Sequence, residues 1–270
     1  MRTTNSLSIR VPGTVGNFAG AMGCGALALD ASMNVKVTLR LDGKVALRYF
    51  GEDGERVPRD HTNLVVRAMQ SLLERHCRPF SGADFEIYSA VPVAAGFGSS
   101  AAATLAGLIA ADRLFRLELD EKAMFEHAAL CDSSAENLRA AWLGGFVACN
   151  QAQGSAVYQH TQVPDNFVVT TVIPAVRGKG IRAVEDALNI QVAGSPSVFL
   201  CGSGPAIGIL AAGDSTPAVR AVREAFAQHG IPTTTVEYRP ANLGARHWLD
   251  LQVPTAELTH SVSKPNLIPV

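Results

Sequence analysis

Apolar and polar residues alternate near the start of the chain, and the period then changes. Leu7–Val11 alternates, Asn34–Leu41 alternates strictly as NVKVTLRL, and Lys44–Phe50 resumes the pattern after Asp42-Gly43. A period of two puts side chains on opposite faces of a strand, and an Asp-Gly pair between two such runs predicts a hairpin. Asn63–Arg75 shifts to helical spacing, with Leu64, Val65, Ala68, Leu72 and Leu73 on one face. Ala83–Ala90 reads as a strand. Ala101–Phe115 is apolar on every side, which predicts a buried helix, and Asp120–Leu130 predicts a helix capped by Asp120. Strands are expected at Phe146–Asn150, Phe167–Ile173, Val198–Cys201 and Ala206–Ala211, the last two joined by the turn Gly202-Ser203-Gly204-Pro205. Thr216–His229 has helical spacing and stops at Gly230-Ile231-Pro232. Thr233–Tyr238 is a β-branched strand, and Val253–Val270, without a period, predicts a loose tail.

This order is strands, helices, strands, helix, strand. It is no regular βαβ alternation, so the pattern predicts an α+β layered fold. The 270 residues suffice for one large domain or two small ones on a shared core. Hydrophobic residues at 47% and charged residues at 17% exclude a disordered chain. A net charge of −1 leaves no basic excess for a nucleic-acid backbone. No apolar run reaches membrane-spanning length, and the N-terminus lacks the apolar stretch of a secretory signal. The five cysteines are odd in number and widely spaced, with no CxxC. A disulfide framework is therefore not expected, and a reducing cytoplasm is. None of the seven histidines has a spacing that suggests a metal or a catalytic triad.

Chemistry concentrates in Pro92-Val93-Ala94-Ala95-Gly96-Phe97-Gly98-Ser99-Ser100-Ala101-Ala102. Gly96 and Gly98 permit backbone geometry closed to other residues. Two serine hydroxyls follow at the start of a predicted helix, where unpaired N–H groups and the dipole favour an anion. No lysine lies in the loop, so it is not a Walker P-loop. Alone, the segment reads equally well as a glycine turn with a serine cap.

Two further segments alter that balance. Val11-Pro12-Gly13-Thr14-Val15-Gly16-Asn17-Phe18 resembles the N-terminal VPATSANL motif of the GHMP kinase superfamily. Pro92–Ala102 resembles its PxxxGLGSSAA loop, and Cys201-Gly202-Ser203-Gly204-Pro205 its SGSGP. Within the superfamily the likeness is closest to homoserine kinases. Leu27-Ala28-Leu29-Asp30 matches LALD, Asp132–Gly145 aligns without gaps to EGHPDNVAPALLGG, and Asn242–Arg246 resembles NxGAR.

The resemblance implies a fold with a half like domain 2 of ribosomal protein S5 over 1–150 and a ferredoxin-like half over 151–270. It implies ATP and Mg2+ as cofactors and phosphoryl transfer to the hydroxyl of L-homoserine, a step toward threonine. A homodimer is common in the superfamily. Carried over residue by residue, Pro92–Ala102 would hold the phosphates, and Ser100 and Asp132 the magnesium. Asn17, Glu136 and Asn137 would contact the amino acid, with Gly202, Ser203 and Gly204 closing the pocket. Asp132 and Asn17 also have simpler readings, as a helix cap and a turn residue.

Two departures bear on the acceptor. The family's GPGFD aspartate aligns with Gly23, so one substrate charge is missing. The stretch between Gly145 and Cys201 is short and lacks an HxPYR-like run. Ile181-Arg182-Ala183-Val184 is the counterpart of TxxARxxLP, leaving Arg182 as the candidate phosphate-facing arginine, with Arg177 and Lys179 nearby. The alternatives are a GHMP kinase acting on another small hydroxylated substrate, or an impaired relative that binds nucleotide.

Overall fold

The computed structural model describes residues 5–18, 24–152, 155–176, 182–189, 197–250 and 266–267; the side chains of 150–152, 155, 156, 182, 250, 266 and 267 fall outside that description. A first sheet contains β1 (Ser6–Gly16), β2 (Gly25–Leu39), β3 (Val45–Gly51), β4 (Ala83–Ser89), β5 (Phe146–Ala152) and β6 (Ser155–Thr161). Its order is β3-β4-β2-β5-β6, with β1 paired to β2. Four helices accompany it: α1 (Leu64–Arg75), α2 (Ser99–Phe115), α3 (Glu121–Cys131) and α4 (Ala135–Leu143).

The second sheet holds β7 (Val168–Pro174), β8 (Ser197–Leu200), β9 (Ile207–Ala211), β10 (Thr233–Tyr238) and β11 (Asn266–Leu267), in the order β11-β10-β7-β9-β8. With α5 (Arg182–Leu188) and α6 (Thr216–Gln228) the run β7-α5-β8-β9-α6-β10 is the βαββαβ pattern of a ferredoxin-like unit. A last helix, α7 (Ala245–Asp250), contacts β1 and α4. Among the described residues no helix is long and apolar enough to cross a membrane.

Most elements follow the sequence pattern. Asn63 caps α1 by accepting from the Val65 N–H at 3.0 Å, and Asp120 caps α3 by accepting from the Ala123 N–H at 2.7 Å. α2 is buried on every side from Ala101 to Asp112, as its unbroken apolar content requires.

The expected hairpin at Asp42-Gly43 does not form. β4 lies between β2 and β3, and β3 runs parallel to β4, with α1 as the crossover. The turn itself is real, since Gly43 has φ 74°, but it is tied to the start of β4. Gly43 N–H donates to the Ser81 carbonyl, and the Arg40 guanidinium spans Asp42 and Asp84 at 2.6 and 3.0 Å. Local turn chemistry specifies a reversal, and not which strand lies alongside it. β6 also escapes the sequence pattern. The tail is not wholly loose: Asn266 and Leu267 pair with Glu237 and Val236, and its other residues lie outside the described ones.

One apolar core joins the two sheets. It runs from Ile9, Val11 and Leu29 through α1 and α2 to Phe199, Cys201, Val236 and Tyr238. Phe18 packs between Phe199, tilted at 4.3 Å, and Phe146, edge-to-face at 5.3 Å, centroid to centroid. The three sequence motifs therefore end on a common seam.

Candidate active site

The loop before α2 owes its shape to close packing. Gly98 is the N-cap of α2 with φ 65°, and a Cβ there would lie 2.0 Å from Thr14 Oγ1. Gly96 has φ +90°, and a Cβ there would lie 1.8 Å from the Cys201 carbonyl oxygen. The Thr14 N–H donates to the Phe97 carbonyl at 2.9 Å. The N-terminal strand and the C-terminal turn thus press on the loop from two sides, and only glycine fits at either contact. The first main-chain bond of α2 runs from Ala102 N–H to the Gly98 carbonyl. The N–H groups of Ser99, Ser100 and Ala101 have no acceptor within the helix, and all three residues line the cavity.

Asp132 faces this helix end from the link between α3 and α4. One carboxylate oxygen accepts from the Ser134 N–H at 2.8 Å and from the Ser134 hydroxyl, which fixes the start of α4. The other accepts from the Ser100 hydroxyl at 2.5 Å. Asp132, the C-cap of α3, thus holds the Ser133-Ser134 link before α4 and at the same time faces the start of α2. Two protein oxygens this close form a donor set suited to a hard cation such as Mg2+, which takes one or two protein ligands and completes its shell with phosphate and water.

Behind α4, the Thr14 hydroxyl donates to Asn137 Oδ1 at 2.9 Å, and Asn137 Nδ2 donates to Glu136 Oε1 at 3.0 Å. Asn137 is buried and serves as a strut that aims the Glu136 carboxylate. Asn17, with φ 69°, donates its amide to the Gly202 carbonyl and, at 3.4 Å, to that of Leu200. It ties the end of β1 to the C-terminal turn across the seam.

The cavity enclosed by these groups has a volume of about 570 Å³ and is lined by Asn17, the loop from Gly96 to Ala101 with Ala94, the link Asp132–Ser134, Glu136, Asn137, Gly202 and Ser203. Ala95 and Ala102 of the loop point into the core at 0% exposure, where their size lets α2 seat under the loop. Pro92, Val93 and Gly204 stand behind the wall. Arg182 begins α5, but its side chain lies outside the described residues, as do Gly23, Arg177 and Lys179. Sequence reasoning did not single out Thr14, Ser133 or Ser134. Thr14 and Ser134 act by orienting Asn137 and Asp132, a role with no signal in residue spacing.

Burial pushes the Cys201 thiol well above its ordinary range, and burial, opposed by a Ser71 hydrogen bond, raises that of Cys131.

Residues 63–145 match the model of the GHMP kinases N terminal domain. The chain is 32% identical over 145 residues to a homoserine kinase of Trichormus variabilis, an alignment covering 54% of this chain and 48% of that one. It spans about half the length of the first curated relatives it matches. The solved homoserine kinase from Cytophaga hutchinsonii superposes with a TM-score of 0.67 at 20% identity, over 90% of this chain and 98% of that one. L. major mevalonate kinase in complex with R-mevalonate superposes at 0.64 with 12% identity, over 89% and 98%. Residues 63–145 are thus similar to the GHMP kinases N terminal domain, and the chain has the fold of the solved homoserine and mevalonate kinases.

Proposed function

We propose that the chain is an ATP-dependent kinase that phosphorylates the hydroxyl of a small amino acid, with L-homoserine as the acceptor. The observation that carries this reading is the convergence of four separated segments on one cavity, which the α2 N-terminus, Asn17, Glu136 and Asn137 all line. The likeness to homoserine kinases supports the choice of acceptor.

In this reading the N–H groups of Ser99, Ser100 and Ala101 and the dipole of α2 receive the nucleotide phosphates. Ser100 and Asp132 would hold Mg2+, which when bound supplies charge neutralisation to the phosphate oxygens. Ser203 and the Gly202 backbone close the cavity over the transferring group. The Glu136 carboxylate, held by Asn137, offers the negative charge that a substrate ammonium requires. It occupies the position of the family aspartate in EGHPDN, while the charge of the other family aspartate, which aligns with Gly23, is missing. Arg182 is the candidate cation for the transferring phosphoryl group, on the resemblance alone. Phosphoryl transfer asks the protein mainly for position and charge; the residues around this cavity would supply the position, with the positive charge coming from Mg2+ and Arg182. We place the reaction in the cytoplasm and the active form as a homodimer, the latter checked by sedimentation.

The test is a panel of acceptors. ADP release is measured with MgATP and L-homoserine, L-serine, L-threonine, mevalonate or galactose. Homoserine is expected to give the highest kcat/KM. A clear preference for another acceptor would keep the kinase and overturn the substrate. Nucleotide binding without turnover on any acceptor would favour the impaired relative.

A further inference from the structure

Three side chains form a row across the first sheet beside the cavity. The β2–β5 ladder pairs Gly25 with Ala148. One residue further along, the Cys149 N–H donates to the Cys24 carbonyl at 2.8 Å, so the two cysteines stand directly opposite each other. On its other side Cys149 is opposite Tyr158 of β6. Opposed residues on antiparallel strands project to the same face, and α4 covers that face. The Arg139 guanidinium lies over the Tyr158 ring at 3.9 Å and over Phe125 at 4.3 Å. The Cys149 thiol lies beside Tyr158 and close to Glu136, Arg139 and Cys24. Burial is the largest influence on it and raises its pKa.

The Cα spacing of such a pair falls within the disulfide range, and the Cβ atoms, about 5 Å apart, have to close by about 1 Å. A hydrogen-bonded antiparallel pair has Cα atoms about 5.5 Å apart, and disulfides cluster at about 5.5–6 Å. Cys24 is exposed and Cys149 only partly covered, so an oxidant reaches Cys24 first.

We propose that Cys24 and Cys149 are a modification site, a thiol pair that closes into a cross-strand disulfide on meeting a low-molecular-weight disulfide. Cys24 gives its proton to solvent, and its sulfur attacks the small disulfide, breaking the S–S bond and releasing one small thiolate. Cys149 then loses its proton and attacks the Cys24 sulfur, expelling the second small thiolate. Two protein thiols are oxidised by two electrons in total. The small disulfide is reduced to two thiols, which take up the two protons. The bond fixes the first residues of β2 against β5 beside Glu136. Its effect on acceptor binding rests on the function proposed above, whereas formation of the bond does not.

The full chain is equilibrated with graded ratios of glutathione to glutathione disulfide, quenched in acid, alkylated and digested for mass spectrometry. The expected product is one linked peptide pair, Cys24 to Cys149, in the wild type and in Cys77→Ser. In Cys149→Ser it is absent, and Cys24 carries glutathione instead. Wild-type protein with Cys149 still alkylated across all ratios, or with Cys24 linked to a different cysteine, would overturn the proposal. This readout needs no catalysis, so a failed kinase assay leaves it intact. In active enzyme the linked form should raise the acceptor KM by about fivefold or more, leave the ATP KM unchanged, and revert with dithiothreitol. An unchanged acceptor KM in fully linked protein would refute the coupling.

Discussion

Asp132 gives one carboxylate oxygen to Ser134 and the other to Ser100, which makes its structural role separable from the cation-holding role proposed for it. Asparagine keeps an oxygen for the Ser134 N–H and caps about as well as aspartate, but it lacks the charge that a cation requires. Asp132→Asn is therefore expected to hold its stability to within about 0.5 kcal/mol while kcat/KM falls on the order of 100-fold. Denaturation and steady-state kinetics measured together check this; near-normal turnover would remove Asp132 from the site. Gly96 makes the opposite case. Its φ of +90° and the 1.8 Å approach to the Cys201 carbonyl leave no room for a methyl group, so Gly96→Ala should lose about 2–4 kcal/mol in urea denaturation. The sequence identifies both residues as parts of motifs and gives Gly96 its special backbone geometry, but not its contact with Cys201. Its partner lies more than a hundred residues away, and no local pattern reports that distance.

Elements were legible where one face decides their fate. α1 and α2 announce themselves because a stripe or a full circumference of apolar residues can be buried in only one way. β3 shows the limit: its alternation is plain, but its neighbour is chosen by the crossover through α1 and not by the turn before it. α1 and α3 also meet through a polar contact, the Ser71 hydroxyl against His127 Nε2 at 3.0 Å. Burial chiefly, with Arg75 and His76, holds His127 below its ordinary imidazole range. The unfolded chain binds a proton at the ordinary value and the folded chain does not, so stability is lost as pH falls below that value toward the folded one. Urea midpoints between pH 7.5 and 5.5 should fall more steeply for the wild type than for His127→Gln. The added slope is at most about 1.4 kcal/mol per pH unit. Parallel slopes would show that this histidine does not set the acid limb.

At the scale of the molecule, the two sheets share a core and a seam. Phe18 packs on Phe199, Asn17 holds the Gly202 carbonyl, and the Asp30 N–H donates to the Arg239 carbonyl at 2.9 Å. Neither half keeps its apolar face without the other, so scanning calorimetry should show one transition with equal calorimetric and van't Hoff enthalpies. Two separated peaks would mean independent halves. The ferredoxin-like order of the second sheet was implied by resemblance to a family and not by periodicity, because strand order is a property of the assembled chain. The same seam holds the cavity, and phosphoryl transfer within it is the claim on which the account stands. Phosphorus NMR of the protein with MgATP and L-homoserine tests it most directly. The γ-phosphoryl resonance should disappear as a phosphomonoester resonance of equal intensity grows, with no inorganic phosphate in excess of it. An ATP spectrum that stays unchanged, or that yields only inorganic phosphate, would contradict the account.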